Sequence, residues 1–109
     1  MPPSEKDNDN MQPISGIDRT IHEPARFMIM AYLYVVESAD FLFIMRQTKL
    51  TRGNLSSHMS KLETAGYVEI KKEFVEKIPR TLLRLTAGGR KAFQEYRNNM
   101  KQILEDLPE

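Results

Sequence analysis

The sequence predicts an α+β domain, mainly α with one small antiparallel β-hairpin, in the order α-α-α-β-β-α. Apolar residues recur with a helical period up to residue 65, and the period changes to two at Tyr67. A helical period returns after Thr86. The 109 residues suit a single domain with one core.

The N-terminal part predicts a tail and then a long helix. Residues 1–15 are mostly polar, with almost no apolar side chains, so we expect a flexible tail ahead of one folded domain over residues 16–109. Pro24 suits a first helical position, which predicts a helix start near His22 or Glu23. The helix continues through Phe27–Val36, which is apolar on every face. A domain this small covers only one side of such a helix, so we expect a partner chain on the other side.

Two shorter helices should follow. Residues 38–40 supply N-cap candidates for a helix over residues 41–47. After a turn at residues 48–50, Thr51 is the N-cap candidate for a third helix over residues 51–65, which Gly66 ends. The apolar residues of this third helix lie on one face only, and they are Leu55, Met59 and Leu62.

The hairpin and the last helix complete the fold. Residues 67–75 alternate between apolar and charged side chains and predict a half-buried strand. Residues 76–79 interrupt it as a loose basic tip, and residues 80–86 form the returning strand. Thr86 can cap a last helix whose apolar residues follow spacings of three and four, which indicates packing against another helix.

Charge is unevenly distributed along the chain. Residues 1–45 carry three basic and seven acidic side chains, for a net charge of −4. Residues 46–97 carry twelve basic and five acidic ones, for a net charge of +7, and residues 98–109 have a net charge of −2. The positive excess therefore lies in the third helix, the hairpin and their flanks, as expected if one face binds a polyanion.

A second helix that is polar on its outward side, a tight turn before it and a basic hairpin after it are typical of a winged helix-turn-helix. The third helix offers these candidate DNA contacts: Thr51, Arg52, Asn54, Ser56, Ser57, His58, Ser60 and Lys61. Of these, Thr51, Arg52 and Asn54 are best placed for base edges, because such helices usually read bases from the N-terminal end. In the wing we expect phosphate contacts from Lys71, Lys72, Lys77 and Arg80, and Arg80 is also a candidate for the minor groove.

Particular motifs in this chain resemble those of a known family. The run Leu50–Val68, together with Pro79-Arg80-Thr81 and Leu85-Thr86-Ala87-Gly88-Gly89-Arg90, is similar to the MarR/ArsR-type winged helix transcriptional regulators of bacteria and archaea. The resemblance extends over roughly residues 17–107 and implies a homodimer on an inverted-repeat duplex, with the third helix in the major groove and wing residues 71–80 at the minor groove or backbone. That family often has an acidic residue before the wing arginine, which Lys77-Ile78-Pro79-Arg80 lacks.

Dimerisation should use the first and last helices. Some of their apolar residues are expected to form the interface and others the core, and the candidates are Phe27, Met30, Tyr34, Phe93, Tyr96, Met100, Ile103 and Leu107.

Several function classes conflict with the sequence. Without cysteine, the chain has no disulfide, thiolate metal site or cysteine nucleophile. His22-Glu23 begins like a zinc protease motif, but the residue four places after His22 is Arg26. We expect no enzymatic activity, cofactor or metal site, and no small-molecule effector is indicated. The sequence has neither a membrane-spanning apolar run nor a signal-peptide pattern, so we expect a cytoplasmic protein.

Two alternatives to an operator-binding regulator remain open. The same fold could serve as a protein–protein interaction module, or it could bind DNA without sequence preference. The second alternative predicts a steep salt dependence and a specificity ratio near one, whereas a regulator should prefer its operator by about 10³ or more.

Overall fold

A computed structural model of the chain describes residues 16–109, so the predicted tail at residues 1–15 lies outside it. The elements are helix α1 (Pro24–Val36), strand β1 (Ser38–Asp40), helix α2 (Phe41–Thr48), helix α3 (Arg52–Thr64), strand β2 (Val68–Val75), strand β3 (Ile78–Leu85) and helix α4 (Ala87–Asp106). The predicted helices and hairpin strands are confirmed in type and order. The strands form one antiparallel sheet in the order β1-β3-β2.

Strand β1 is absent from the sequence-based prediction. Residues 38–40 were expected only as N-cap candidates, but they also pair with β3, from Ser38 opposite Arg84 to Asp40 opposite Leu82. Asp40 has both roles, since its Oδ1 accepts a hydrogen bond from the backbone N–H of Leu42 at 2.7 Å and caps α2. Three residues are too few for an alternating pattern to reveal a strand.

The prediction of a loose four-residue tip at residues 76–79 of the hairpin is wrong. Pairing continues to Val75 opposite Ile78, so only Glu76 and Lys77 remain in the turn. Their φ values are 52° and 68°, as a two-residue turn of the type favoured in hairpins requires. Pro79 lies inside β3, beyond the last residue that pairs with β1, so β3 has a neighbour on one side only at that point. A proline is tolerated there because its missing N–H can face the open side.

Side-chain caps also begin the other three helices where the sequence predicts them. Glu23 precedes Pro24, the first residue of α1, and its carboxylate accepts a hydrogen bond from the backbone N–H of Arg26 at 2.8 Å. Thr51 and Thr86 accept equivalent bonds from Asn54 and Gly89, at 3.1 Å and 2.9 Å. These bonds satisfy backbone donors that the first helical turn leaves without partners.

One hydrophobic core joins all four helices to the sheet. Its fully buried side chains come from α1, α2 and α3, from strand β3 and from one residue before α1, and they are Ile21, Ile29, Met30, Leu33, Ile44, Leu55, Met59, Leu62 and Leu83. The first helix is buried on one side, as predicted. Its other side exposes Phe27 and Val35, whose exposed fractions are 42% and 80%.

The segment before α1 is attached to the body of the domain by Asp18. Its Oδ1 accepts bonds from the backbone N–H groups of Thr20 and Ile21, and its Oδ2 accepts a bond from the Tyr67 hydroxyl at 2.5 Å. Burial, followed by the hydrogen bond and the charge of Asp18, raises the pKa of Tyr67 from 10.0 to about 12.

This contact predicts a loss of stability at alkaline pH. Because the pKa of Tyr67 is higher in the folded chain, the neutral phenol stabilises the fold fully below about pH 10, and this stabilisation is lost as the pH rises through about 12. We expect the free energy of unfolding, measured with denaturant at each pH, to fall over that range. Tyr67→Phe should show a smaller fall in the free energy of unfolding, whereas Tyr32→Phe should show the same fall as the parent. An equal fall in the parent and both variants would contradict the assignment to Tyr67.

Candidate nucleic-acid interface

Helix α3 has one buried face and one polar face. Leu55, Met59 and Leu62 are each at most 1% exposed and attach the helix to the core. Seven of the residues predicted to contact DNA are exposed on α3 or at its N-cap, and we call them the outward face of α3. They are Thr51, Arg52, Asn54, Ser56, Ser57, Ser60 and Lys61. The structure thus brings seven of the eight predicted helix contacts to one surface.

His58, the eighth predicted contact, lies apart from the outward face. Its side chain is 20% exposed, and its Nδ1 lies 3.1 Å from Nη1 of Arg26 and 3.6 Å from Oε2 of Glu23. Burial raises the pKa of Glu23, but hydrogen bonds from the backbone of Arg26 and Ala25, together with the charges of His58 and Arg26, outweigh it and hold that pKa below its ordinary value. His58 therefore joins α3 to the start of α1.

Arg52 is positioned by an aromatic ring. Its guanidinium carbon lies 5.6 Å from the centre of the Phe41 ring, within the range of a cation–π contact. Phe41 is the first residue of α2, so the turn between α2 and α3 brings the two side chains together. The contact restricts Arg52 at the N-terminal end of α3, where base-reading side chains are usually found.

A groove of about 640 Å³ separates α3 from the sheet, and we call it the wing-side groove. Arg52, Ser56 and Ser60 lie on its helix side, and Lys72 and Thr81 lie on its sheet side. Lys72 and Thr81 are paired across the hairpin on the same face as Ile70. Lys72 thus shares the face of the hairpin that carries Ile70, but lies farther out than the core.

The other wing cations lie elsewhere. Lys71 and Arg80 are on the opposite face of the hairpin, and Lys77 is in the turn. Nε of Arg80 lies 3.2 Å from Oδ2 of Asp40, although none of the three residues before Arg80 is acidic. A residue 40 positions earlier therefore supplies the carboxylate that the local sequence lacks. Lys71 is paired with Glu73 at 3.8 Å.

A second groove, between α1 and α4, contains most of the predicted dimer residues. Met30, Phe93 and Tyr96 are buried in the single chain, with exposed fractions of 0%, 9% and 7%. Phe27 and Leu107 are exposed, whereas Tyr34, Met100 and Ile103 are half-buried. The apolar groove, of about 620 Å³, is lined mainly by Phe27, Ala31, Tyr34, Val35, Phe93, Tyr96, Met100 and Leu104.

Sequence reasoning missed three apolar lining residues, Ala31, Val35 and Leu104, and two cations that also line the groove, Arg97 and Lys101. Leu104 follows Met100 by four positions, so a wider apolar stripe on the last helix would have included it. Val35 and Ala31 have the same spacing on the first helix, but there every face is apolar and periodicity alone cannot select one.

Comparison with known proteins assigns the family. Residues 25–104 match the family of winged helix DNA-binding domains. The chain belongs to this family. An uncharacterized protein of Methanocaldococcus jannaschii is 35% identical to this winged helix protein over 82 residues, which cover 75% of this chain and 89% of the relative.

Solved structures agree with this winged helix assignment. A transcriptional regulator homologue from Pyrococcus horikoshii OT3 has a TM-score of 0.83 and 30% identity, over 89% of this chain and all of that one (100%). A MarR-family transcriptional regulator from Silicibacter pomeroyi has the same fold, with a TM-score of 0.55 and 16% identity over 91% of this chain and 65% of that one.

The family match and the regulator homologue identify the winged helix protein as a DNA-binding transcription regulator, and its fold is that of a MarR-family regulator, as the resemblance implies. The family and the fold are those of transcriptional regulators and not of enzymes. Within residues 16–109, none of the helices has the length and apolar character needed to cross a membrane.

Proposed function

We propose that this winged helix protein is a homodimeric, sequence-specific regulator that binds an inverted-repeat operator in double-stranded DNA. The observation that carries the proposal is the outward face of α3, which is polar, exposed and flanked by the wing-side groove. Its small serine side chains allow the helix to approach the floor of a major groove about 12 Å wide. A regulator of this kind acts on the chromosome, so we place it in the cytoplasm.

Base recognition is assigned to the N-terminal end of α3. Arg52 is exposed and restricted by Phe41, and a restricted guanidinium can donate two hydrogen bonds to one guanine. The exposed Asn54 amide suits adenine in the same way. Thr51 uses its Oγ1 as acceptor for the N–H of Asn54, which leaves its hydroxyl hydrogen for DNA.

The wing is assigned to the DNA backbone and the minor groove. Lys72 faces the wing-side groove and Lys77 projects from the turn, so these two lysines are placed to contact phosphates beside α3. Arg80 and Lys71 lie on the other face of the hairpin, where Asp40 forms an ion pair with Arg80. We assign Arg80 to the minor groove. Its ion pair with Asp40 already restricts the side chain, so binding costs less conformational entropy.

Dimerisation supplies the spacing between two copies of α3. A second copy would cover the exposed apolar side of α1 and α4, including Phe27, Val35 and Leu104. Recognition helices about 34 Å apart then enter successive major grooves on one side of the duplex.

The test is selection of binding sites from a random duplex library at physiological salt, with the parent chain and with Arg52→Ala. We expect the parent to enrich an inverted repeat whose half-sites lie about one helical turn apart. Loss of a bidentate arginine should cost about 1–3 kcal/mol of discrimination at one base position in each half-site. The control is Lys91→Ala, which removes a cation from the exposed side of α4 and should leave the preference unchanged.

Other results would favour the alternative functions. Binding without enrichment, with a steep salt dependence, would identify a non-specific DNA binder. Failure of the folded chain to bind any duplex would favour a protein–protein interaction module.

A further inference from the structure

A third groove lies on the side of α3 away from the sheet. This basic groove, of about 540 Å³, is lined by Arg19, Thr20 and Arg26 on one wall and by Ser60, Lys61, Thr64 and Ala65 of α3 on the other. Arg19 and Arg26 belong to the segment before α1 and to its first turn, neither of which was among the DNA contacts expected from the sequence. Three cations therefore line a groove that opens beside the outward face of α3.

Arg26 is held in place before any ligand binds. Its Nε donates a hydrogen bond to the carbonyl oxygen of Thr20 at 2.6 Å, and its Nη1 lies 3.1 Å from Nδ1 of His58. Only 12% of its side chain is exposed. A planar guanidinium fixed in this way loses little conformational freedom when it binds an oxyanion.

The acidic residues of the same segment pair with neither Arg19 nor Lys61. Asp18 accepts bonds from Thr20, Ile21 and Tyr67. Glu23 accepts the N–H of Arg26, and its carboxylate lies 4.0 Å from the guanidinium. Over residues 16–109, no carboxylate oxygen lies within 4.0 Å of a side-chain nitrogen of Arg19 or Lys61. The positive charge of these two residues is thus available to an anion.

We infer that the basic groove binds a backbone phosphate of the duplex, on the strand opposite the one that contacts the wing. A helix seated in a major groove has one phosphate backbone along each of its sides. The wing-side groove with Lys72 and the basic groove flank α3, and they meet at Ser60, which lines both. Guanidinium groups match phosphate oxygens in geometry and charge. This inference rests on the proposed function, because it requires α3 to enter DNA.

The test measures affinity for operator and scrambled duplexes over a range of salt, with Arg19→Ala. Arg19 is exposed, so the variant should fold like the parent. Loss of one phosphate contact reduces the slope of log affinity against log salt by about 0.9, which weakens binding roughly eightfold at about 0.1 M salt. The factor should be the same for both duplexes, because phosphates carry no sequence information.

Three further variants define the site. Arg19→Lys keeps the charge and should retain the parent slope. Lys61→Ala on the opposite wall should reduce the slope by the same amount as Arg19→Ala, and Lys91→Ala, on the exposed side of α4, should not reduce it. An unchanged slope in Arg19→Ala, with the parent still binding DNA, would overturn this inference alone. If the parent bound no duplex, the proposed function would fail and this inference with it.

Discussion

Replacement of Gly89 by alanine is expected to destabilise the fold by about 3 kcal/mol, the upper end of the usual cost of overpacking. A Cβ at this position would overlap the carbonyl oxygen of Tyr67 and would lie 2.7 Å from its carbonyl carbon and 2.9 Å from its Cα. These are backbone atoms, so no rotamer change relieves the overlap. The same carbonyl accepts a hydrogen bond from Thr86 at 3.0 Å, which opposes a shift of either segment.

The neighbouring glycine provides the control. A Cβ on Gly88 would meet its nearest atoms, in Gly66 and Thr86, at 3.7 Å, an ordinary contact distance. Because alanine favours helix more than glycine does, Gly88→Ala should be neutral or up to about 1 kcal/mol more stable. Thermal unfolding should show a midpoint lowered by roughly 12–24 °C for Gly89→Ala and little changed for Gly88→Ala. Equal midpoints would show that the start of α4 does not pack against Tyr67 in this way.

Leu104→Glu is expected to convert the proposed dimer to folded monomers. Leu104 is 62% exposed in the single chain, so the variant should keep its fold. In a dimer formed over the apolar groove, the carboxylate would be taken out of water among mainly apolar side chains in both copies, because a two-fold interface repeats every substitution. At a cost of about 2 kcal/mol per copy, the dissociation constant of the dimer rises on the order of 10³-fold.

Sedimentation equilibrium measures this change directly, and titration with an inverted-repeat duplex measures its consequence for DNA binding. Gln102→Glu is the matched control, since it adds the same charge to the same helix at an exposed position outside the apolar groove. We expect Gln102→Glu to remain dimeric and to bind the inverted repeat as tightly as the parent. If Leu104→Glu also remained dimeric, α1 and α4 would not form the interface.

The recognition helix was predictable because its signals are local. Thr51, the three inward apolar residues and Gly66 all lie within one stretch of 16 residues, from position 51 to position 66. The structure confirms the cap, the buried face and the helix end, where Gly66 has a φ of 81°. Hydrophobic period and capping act through neighbours in sequence, so they can be read without a fold.

The hairpin illustrates where local signals fail. Lys77 adopts a φ of 68°, although the turn contains no glycine that would indicate its position in the sequence. Because Pro79 disfavours a strand, the sequence predicts that the returning strand begins at residue 80, whereas it begins at Ile78. Pro79 is acceptable in β3 only because β1 stops short of it. That fact depends on the pairing of β1, which three residues of sequence could not indicate.

Sequence alone determined the order of the helices and hairpin strands, the polar face of α3 and the concentration of positive charge between residues 46 and 97, because periodicity, caps and charge are properties of contiguous residues. Tertiary structure decided the partners of individual side chains. It placed Asp40 beside Arg80, turned His58 towards Glu23 and Arg26, and aligned Arg19 with Lys61 across one groove. Each of these pairs joins residues at least 32 positions apart, and only the packing of the whole chain brings such residues to one site.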